Sequence, residues 1–277
     1  MEEDEMREEP LVSIITVCYN SEKYIKDTIE SVLAQDYYNI EYIIVDGKSI
    51  DGTLDIVKEY EPKFDGKMKW ISEEDNGIYD AMNKGIKMAS GEIIGIINSD
   101  DWYEGDIVQK VVDIYNQYKE DNLIITGSMC RVDQEGRKLF KLPKDKNNLD
   151  ELIDITMPIN HPATFVTQRV YDSVGVFDEN FKICGDYDFI YRAYYSDTTK
   201  FIFIDDLVSY MRLGGVSGQF DNLWLHVLEN YKLRKGKLNN IINSYYSVKF
   251  LLKHMLKYGI KKIINKELLL KYYKLRH

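Results

Sequence analysis

The residues best suited to chemistry are four polar side chains, Asn98-Ser99-Asp100-Asp101, that follow a short apolar stretch. Ile93 to Ile97 has the composition of a buried parallel strand, and in open α/β sheets ligands collect beyond the carboxyl ends of such strands. Carboxylate and amide oxygens are hard ligands that suit Mg²⁺ or Mn²⁺ better than a softer metal. This pattern predicts a divalent cation and a phosphorylated ligand at the end of the strand.

Polar side chains also follow three other predicted strands. They are Thr16, Tyr19 and Asn20 at the end of the first strand, Asp46 after the second and Asp75 after the third. A carboxylate can accept hydrogen bonds from a nucleobase or a ribose, and a tyrosine ring can stack on a base. Each residue taken alone favours a structural role, because Asn, Asp and Ser are common in turns and at helix N-caps. Their coincidence at one sheet edge favours a nucleotide site.

Two glycine-dependent nucleotide motifs are missing from the sequence. Asp46-Gly47-Lys48-Ser49 has the letters that end a phosphate-binding loop, but Tyr42 stands where that loop requires its earlier glycine. No Gly-x-Gly-x-x-Gly follows the first strand either. A bound nucleotide must therefore be held by side chains at the strand ends.

The predicted elements that position these residues alternate between strand and helix along residues 11–118. The apolar patterns predict strands at 11–18, 42–45, 68–72 and 92–97, and helices near 21–33, 53–60, 77–89 and 106–118. Such alternation implies right-handed βαβ crossovers and a mostly parallel sheet. Further strands near 123–128, 160–167 and 201–213, with helices near 168–174 and 186–195, indicate a mixed second half of the same domain.

The charge of the chain divides near Leu223. The 277 residues carry a net charge of -10, yet residues 223–277 hold 13 Lys and Arg against two Glu. We therefore expect a disordered acidic N terminus at 1–10, a catalytic domain at 11–222 and a basic, amphipathic helical tail at 223–277. The acidic body is poorly suited to nucleic acid, which we exclude as a partner.

The tail allows two interpretations. Its apolar residues alternate with lysines, so residues 245–277 either pack their apolar side on the acidic body or bind an anionic membrane surface. The chain opens without an apolar signal segment, and no run approaches the roughly 18 apolar residues of a membrane span. We expect a cytoplasmic protein, with peripheral association at the inner face of the membrane if the second interpretation holds. The scattered Cys18, Cys130 and Cys184 are expected to be buried.

Several segments together resemble the family 2 glycosyltransferases of the polysaccharide-biosynthesis type. The similarity lies in Ser13–Asn20, Val45–Thr53, Ser72–Gly85 and Asn98–Asp101, and it continues through His161–Phe165 and Gly185–Phe189. Each motif is weak alone, but their order and spacing are specific as a set. The resemblance implies an α/β fold of the GT-A type, with a Rossmann-like, mostly parallel sheet flanked by helices and a C-terminal helical extension.

The resemblance also implies roles for individual residues. A nucleotide-sugar donor, with a UDP-sugar as the first choice, would contact Thr16, Tyr19, Asn20, Asp46, Asp75, Asp80, Asn83, Asn98 and Ser99. Asp100 and Asp101 would hold Mn²⁺ or Mg²⁺. The family pattern is Asp-x-Asp, and Asn98 in its first position removes one negative charge, so a lower metal affinity is expected.

By the same resemblance, Asp186 would be the base for an inverting transfer to the hydroxyl group of a glycan or lipid-linked acceptor. His161 and Asp188 would lie on the acceptor side. The residues themselves leave a structural role open, because Asp186 and Asp188 also fit the first turn of a helix. A shared site requires Asp46, Asp100 and Asp186 to face one cavity.

Two alternative functions are consistent with parts of the sequence. A nucleotidyltransferase shares the sheet and the metal chemistry, but it would have a glycine-rich loop after the first strand, and residues 16–23 contain no glycine. A non-catalytic protein that binds nucleotide sugars, or serves as a scaffold, is supported by Asn98. The presence of Asp46, Asp100 and Asp186 together argues against that second alternative.

Overall fold

The computed structural model describes residues 9–118, 121–142, 149–214 and 222–263. A nine-stranded sheet has the order β3-β2-β1-β4-β8-β6-β9-β5, with β7 paired to β6. The strands are β1 (Val12–Cys18), β2 (Ile40–Asp46), β3 (Met68–Ser72), β4 (Ile93–Asn98), β5 (Trp102–Tyr103), β6 (Asn122–Val132), β7 (Lys138–Leu142), β8 (Thr164–Thr167) and β9 (Thr199–Arg212). The helices are α1 (Ile25–Leu33), α2 (Thr53–Tyr60), α3 (Ile78–Met88), α4 (Ile107–Gln117), α5 (Leu149–Leu152), α6 (Gln168–Val174), α7 (Gly185–Tyr194), α8 (Leu223–Arg234) and α9 (Asn240–Ile263).

The first four strands pair in parallel, as their alternation with helices predicted. Every residue of β1 and β2 is buried, which explains why these strands are almost continuous apolar runs. The register pairs Cys18 with Asp46, Asp46 with Ser72, and Val17 with Asn98. The carboxyl ends of four strands therefore meet at one edge of the sheet.

The second half of the sheet is mixed. β8 runs antiparallel to both β4 and β6, whereas β9 runs parallel to β6. Among the nine strands that the structure describes, parallel pairing joins the first four strands and the pair of β6 with β9. Apolar periodicity identifies a strand but not its direction, so the sequence could not place β8. The predicted α/β architecture, with helices flanking the sheet and a helical C-terminal extension, is confirmed.

Helix α3 packs closely on β1 through a glycine. A Cβ atom added at Gly85 would lie 2.4 Å from Cγ2 of Ile15, which is fully buried. The absence of a side chain therefore sets the distance between α3 and the sheet. This close approach fixes the start of α3 beside the carboxyl ends of the strands.

The two C-terminal helices attach to the body through a buried charge. Arg234 of α8 is fully buried and donates to the carbonyl oxygen of Asp154 at 2.9 Å, to Asn243 at 3.0 Å and to Ser247 at 3.1 Å. The side of α9 that faces the protein is therefore polar at Asn243 and Ser247. Within the helices that the structure describes, none combines the length and hydrophobicity needed to cross a bilayer.

Candidate active site

A cleft of about 940 Å³ opens at the carboxyl ends of β1 and β4. Its volume lies in the range of roughly 300–1,000 Å³ that is typical of ligand sites. The predicted site residues that line it are Tyr19, Asn20, Asp75, Asn98, Ser99, Asp100, His161 and Asp186. The structure places the other predicted residues outside its lining: Thr16, Asp46, Asp80, Asn83, Asp101 and Asp188.

Asn98, Ser99 and Asp100 form the inner wall of the cleft at the end of β4. Burial raises the pKa of Asp100, while the positive charges of Arg212 and Arg131 oppose that rise. The Oδ1 atom of Asn98 is buried and has no hydrogen-bond partner in the described part of the chain. The site therefore offers one carboxylate and one uncommitted amide oxygen to a ligand.

Asp101 does not fit the predicted role of metal ligand. It is 1% exposed, and its Oδ1 accepts a hydrogen bond of 3.1 Å from the backbone N–H of Arg212. Its backbone carbonyl accepts from the hydroxyl of Thr28 at 2.6 Å. Burial, and then the nearby Asp100, raise the pKa of Asp101 well above its usual value. Asp101 thus joins β4 to β9 and α1 beneath the cleft.

Among the residues that the structure describes, no group of three His, Cys, Asp or Glu side chains could hold a metal ion. Magnesium in phosphoryl sites is commonly held by one or two carboxylates, with the remaining positions filled by phosphate oxygens and water. Asp100 and the uncommitted oxygen of Asn98 fit a cation of that kind. They do not form a site made of protein ligands alone.

Asp186 also lines the cleft and lies in the first turn of α7. Its Oδ1 accepts from the backbone N–H of Tyr187 at 2.9 Å and lies 3.2 Å from the hydroxyl of Tyr79. That hydroxyl donates to the carbonyl oxygen of Ile183 at 2.7 Å. A Cβ atom at Gly185 would lie only 2.7 Å from the Tyr79 ring, so glycine is required beside Asp186.

His161 lies on the same side of the cleft, in a 3₁₀ turn of His161–Ala163. Burial lowers the pKa of His161, although the negative charge of Asp186 opposes this effect. The imidazole is therefore neutral at pH 7. It can form hydrogen bonds with the hydroxyl groups of a sugar acceptor, but it does not supply positive charge to a diphosphate.

Three predicted residues instead support elements around the cleft. Asp188 is buried and forms an ion pair of 2.8 Å with Arg192 inside α7. Asp80 accepts from the backbone N–H of Asn76 at 2.8 Å, which places its carboxylate at the start of α3. Asn83 donates to the carbonyl oxygen of Phe177 and accepts from the N–H of the same residue, at 2.9 and 3.0 Å.

Tyr19, Asn20 and Asp75 border the open side of the cleft. The Tyr19 ring is 62% exposed and free to stack on a planar ligand. Asn20 has a positive φ of 48°, and its side chain accepts from the N–H of Ile50 at 3.0 Å. A Cβ atom at Gly47 would lie 2.4 Å from Oδ2 of Asp75 and 3.5 Å from the ring of Tyr19. Gly47 therefore lets these two side chains converge.

Asp46 and Thr16 lie below the cleft and are fully buried. Asp46 accepts hydrogen bonds from the N–H of Ser49 at 2.9 Å and from the hydroxyl of Ser72 at 2.6 Å. Thr16 accepts from the hydroxyl of Tyr42 at 3.0 Å. We expected Asp46, Asp100 and Asp186 to face one cavity. Asp100 and Asp186 do so, but Asp46 does not. Asp46 supports the loop after β2 instead.

Sequence reasoning missed the positive charges of the cleft. Lys23, Arg131 and Lys182 line it together with the carboxylates, and Lys182 donates to the carbonyl oxygen of Asn76 at 2.9 Å. They lie on three separate elements and belong to no motif, so their convergence is visible only in the fold. Such cations can compensate the negative charge of a phosphorylated ligand.

Residues 13–174 match the family model described as glycosyl transferase family 2. An uncharacterized glycosyltransferase of Rickettsia typhi is 31% identical over 189 residues, which are 66% of this chain and 58% of that protein. The chain therefore spans little more than half the length of that relative.

Two solved structures have similar folds. S. aureus TarS in complex with UDP-GlcNAc has a TM-score of 0.64 at 20% identity, covering 93% of this chain and 77% of that one. The mannosyltransferase PcManGT from Pyrobaculum calidifontis, in complex with GDP-Man and Mn²⁺, has a TM-score of 0.61 at 15% identity, covering 96% and 84%. At these identities the comparisons establish the fold.

Proposed function

The chain belongs to glycosyl transferase family 2, and from this premise we propose that it is an inverting enzyme that moves a sugar from a nucleoside diphosphate to a hydroxyl group of a glycan or lipid-linked acceptor. The observation that carries the proposal is that Asp100 and Asp186 line one cleft large enough for a nucleotide sugar. A UDP-sugar is the first candidate donor, since TarS, with a similar fold, has been solved with UDP-GlcNAc.

In the proposed reaction, Asp186 takes the proton of the acceptor hydroxyl as that oxygen attacks the anomeric carbon. The bond from this carbon to the diphosphate oxygen breaks, and the nucleoside diphosphate leaves with the electron pair. Attack from the side opposite the leaving group inverts the anomeric configuration. The exposure of the Asp186 carboxylate to the cleft supports this role.

Negative charge on the departing diphosphate must be compensated by positive charge in the cleft. Arg131 and Lys182 line the cleft and can supply positive charge there. A Mn²⁺ or Mg²⁺ ion bound with the donor would be held by Asp100 and by the amide oxygen of Asn98, and it would add Lewis-acid neutralisation. Asp101 is left out of this proposal because both of its carboxylate oxygens already accept hydrogen bonds, from the backbone N–H of Arg212 and from the side-chain amide of Asn98.

The helical extension suggests where the acceptor is found. Apolar side chains form an exposed stripe along α9, at every third or fourth residue: Ile241, Tyr245, Val248, Leu252 and Met255. Lys249 and Lys253 are exposed beside the stripe. These five apolar side chains are therefore not packed on the body. An anionic bilayer surface complements both the stripe and the lysines, and it would bring the cleft to lipid-linked acceptors. Residues 264–277 of the predicted tail lie outside the described residues.

A panel of nucleotides and nucleotide sugars tests the proposed activity. One nucleoside diphosphate is expected to raise the melting temperature, and more so with Mn²⁺, because a ligand of the folded state stabilises it. The matching sugar donor should then be consumed with release of that nucleotide, and NMR should show an inverted anomeric centre in the product. Binding without turnover of any donor would favour a non-catalytic scaffold. Release of pyrophosphate from a nucleoside triphosphate and a sugar phosphate would favour a nucleotidyltransferase.

A further inference from the structure

The carboxylate of Glu229 in α8 is buried under the cleft and is bound to three consecutive backbone N–H groups. Its Oε1 accepts from Lys182 at 2.7 Å, and its Oε2 accepts from Ile183 at 3.0 Å and from Cys184 at 2.9 Å. Glu229 is only 5% exposed. Successive N–H groups that point to one anion form a strong and directional anion site, which here is filled by a side chain of the protein itself.

The segment that Glu229 holds leads directly to Asp186. Residues 182–184 immediately precede α7, and Asp186 is the second residue of that helix. The carbonyl oxygen of Ile183 accepts from the hydroxyl of Tyr79, which lies 3.2 Å from Oδ1 of Asp186. A continuous set of contacts therefore joins Glu229, the 182–184 segment, Tyr79 and the Asp186 carboxylate.

The same segment also carries a cleft cation. Lys182 lines the cleft, and its backbone N–H makes the shortest of the three bonds to Glu229. Its ammonium group is held by the carbonyl oxygen of Asn76, just before α3. A shift of the 182–184 segment would thus move the proposed base and a proposed partner of the diphosphate together.

We propose that Glu229 is a positioning residue: by fixing the 182–184 segment, it holds Asp186 and Lys182 in the geometry that sugar transfer requires. This inference rests on the proposed function, and it gives α8 a role in the active site although α8 does not line the cleft in the described residues. Glu229 itself touches no substrate.

Glu229→Gln tests the inference with almost no change in size. A glutamine has one acceptor oxygen where the carboxylate has two, so its NH₂ group must face at least one of the three N–H donors. We expect kcat to fall roughly 10- to 100-fold, because small misplacements of reacting groups are costly, with a smaller rise in the KM for the donor, since Lys182 is displaced together with Asp186. Glu59→Gln, at a glutamate side chain that is 67% exposed on α2, is the matched control and should retain wild-type kinetics.

Hydrogen exchange provides a readout that does not depend on turnover. The amides of residues 182–184 should exchange faster in Glu229→Gln than in the wild type, while the amides of β1 and β4 remain equally protected. Equal protection of residues 182–184 in both proteins would overturn the inference, and so would an unchanged kcat. A wild-type protein that turns over no donor would instead refute the proposed function, whatever the exchange result.

A second variant keeps the inference testable if Glu229→Gln does not fold. Tyr79→Phe retains the ring that packs on Gly185 but removes the hydroxyl between Ile183 and Asp186. It should lower kcat with little change in the donor KM. A Tyr79→Phe protein with wild-type kcat would contradict the proposed line of contacts.

Discussion

At the residue scale, burial separates the carboxylates that can meet a ligand from those that support the fold. Asp100 and Asp186 face the cleft, whereas Asp46 and Asp101 are buried and hydrogen-bonded to neighbouring loops and strands. Burying a polar group is costly unless it is hydrogen-bonded, so the two buried acids are integral to the structure around them. Replacing either would affect the shape of the site without removing a ligand contact.

Asn98→Asp tests whether position 98 touches the metal. The change restores an Asp-x-Asp pattern and adds a second carboxylate beside Asp100, so the affinity for Mn²⁺ in the presence of nucleotide should rise roughly tenfold. A Mn²⁺ titration followed by calorimetry measures it. Asn39→Asp, at the opposite end of the strands, makes the same charge change and should leave the affinity unaltered. Equal affinities in Asn98→Asp and wild type would place the cation away from residue 98.

The depressed pKa of His161 predicts a pH effect on stability. Above about pH 6.5 the imidazole is neutral in both the folded and the unfolded state, so it has no effect. As the pH falls below that value, the unfolded state binds the proton first, and the free energy of unfolding decreases by at most about 1.4 kcal/mol per pH unit. Between about pH 7.5 and pH 5.5, His161→Gln should therefore lose less stability than the wild type in urea titrations. A larger loss in the variant would mean that the folded protein favours the imidazolium.

The sequence could predict which strand ends meet, but not which side chains face the ligand. Thr16 and Asp46 lie at the predicted edge of the sheet, yet both are fully buried. The strands β1 and β2 are buried on both faces, so their residues show no alternation that would reveal the side bordering the cleft. Arg131 and Lys182 could not be predicted because a single basic residue has no sequence pattern.

At the element scale, the close packing of α3 on β1 holds one wall of the cleft. Gly85→Ala would place a methyl group 2.4 Å from Ile15, so the variant should lose about 1–3 kcal/mol of unfolding free energy through overpacking. Gly105→Ala is the control, because a Cβ atom there meets nothing within 4 Å, and it should be close to neutral. Urea denaturation compares the two. A Gly85→Ala protein as stable as wild type would show that α3 is free to shift.

Several elements were predicted to within one residue at each end, and α2 and β3 have the predicted bounds of 53–60 and 68–72. Helix α3 was expected at 77–89 and covers Ile78–Met88, and β4 was expected at 92–97 and covers Ile93–Asn98. The two-residue strand β5 was not predicted, because Trp102 and Tyr103 are extended only through pairing with β9. Contacts so distant along the chain leave no local signal. For the same reason, the sequence could not predict the hydrogen bonds between α8 and residues 182–184.

At the scale of the whole molecule, the division of charge at Leu223 coincides with the start of α8. The helices beyond it combine buried polar contacts to the body with an exposed apolar stripe. The apolar stripe of α9 is thus exposed, although α8 buries Leu223, Val227 and Leu233. The partner that we propose for this surface, an anionic bilayer, is apolar in its centre and negatively charged at its edge.

Vesicle sedimentation tests whether the exposed stripe and lysines of α9 bind a membrane. The protein should bind vesicles rich in phosphatidylglycerol and should bind phosphatidylcholine vesicles weakly, with binding that decreases as salt is added. Lys249→Glu with Lys253→Glu should reduce binding at least about tenfold, since each lysine near such a surface contributes about 1 kcal/mol. Lys58→Glu with Lys63→Glu, near the other end of the chain, is the control. Failure of the unaltered protein to bind anionic vesicles would exclude the membrane as its partner.

The most direct test of the proposed activity is to measure both donor binding and sugar transfer in Asp186→Asn. The substitution preserves the shape of the side chain but removes its ability to take a proton, so transfer should fall by at least about 10²-fold, while the Kd for the donor stays within about threefold. Asp55→Asn, on the exposed side of α2, should retain both properties. Transfer by Asp186→Asn at close to the wild-type rate would contradict the assignment of Asp186 as the base.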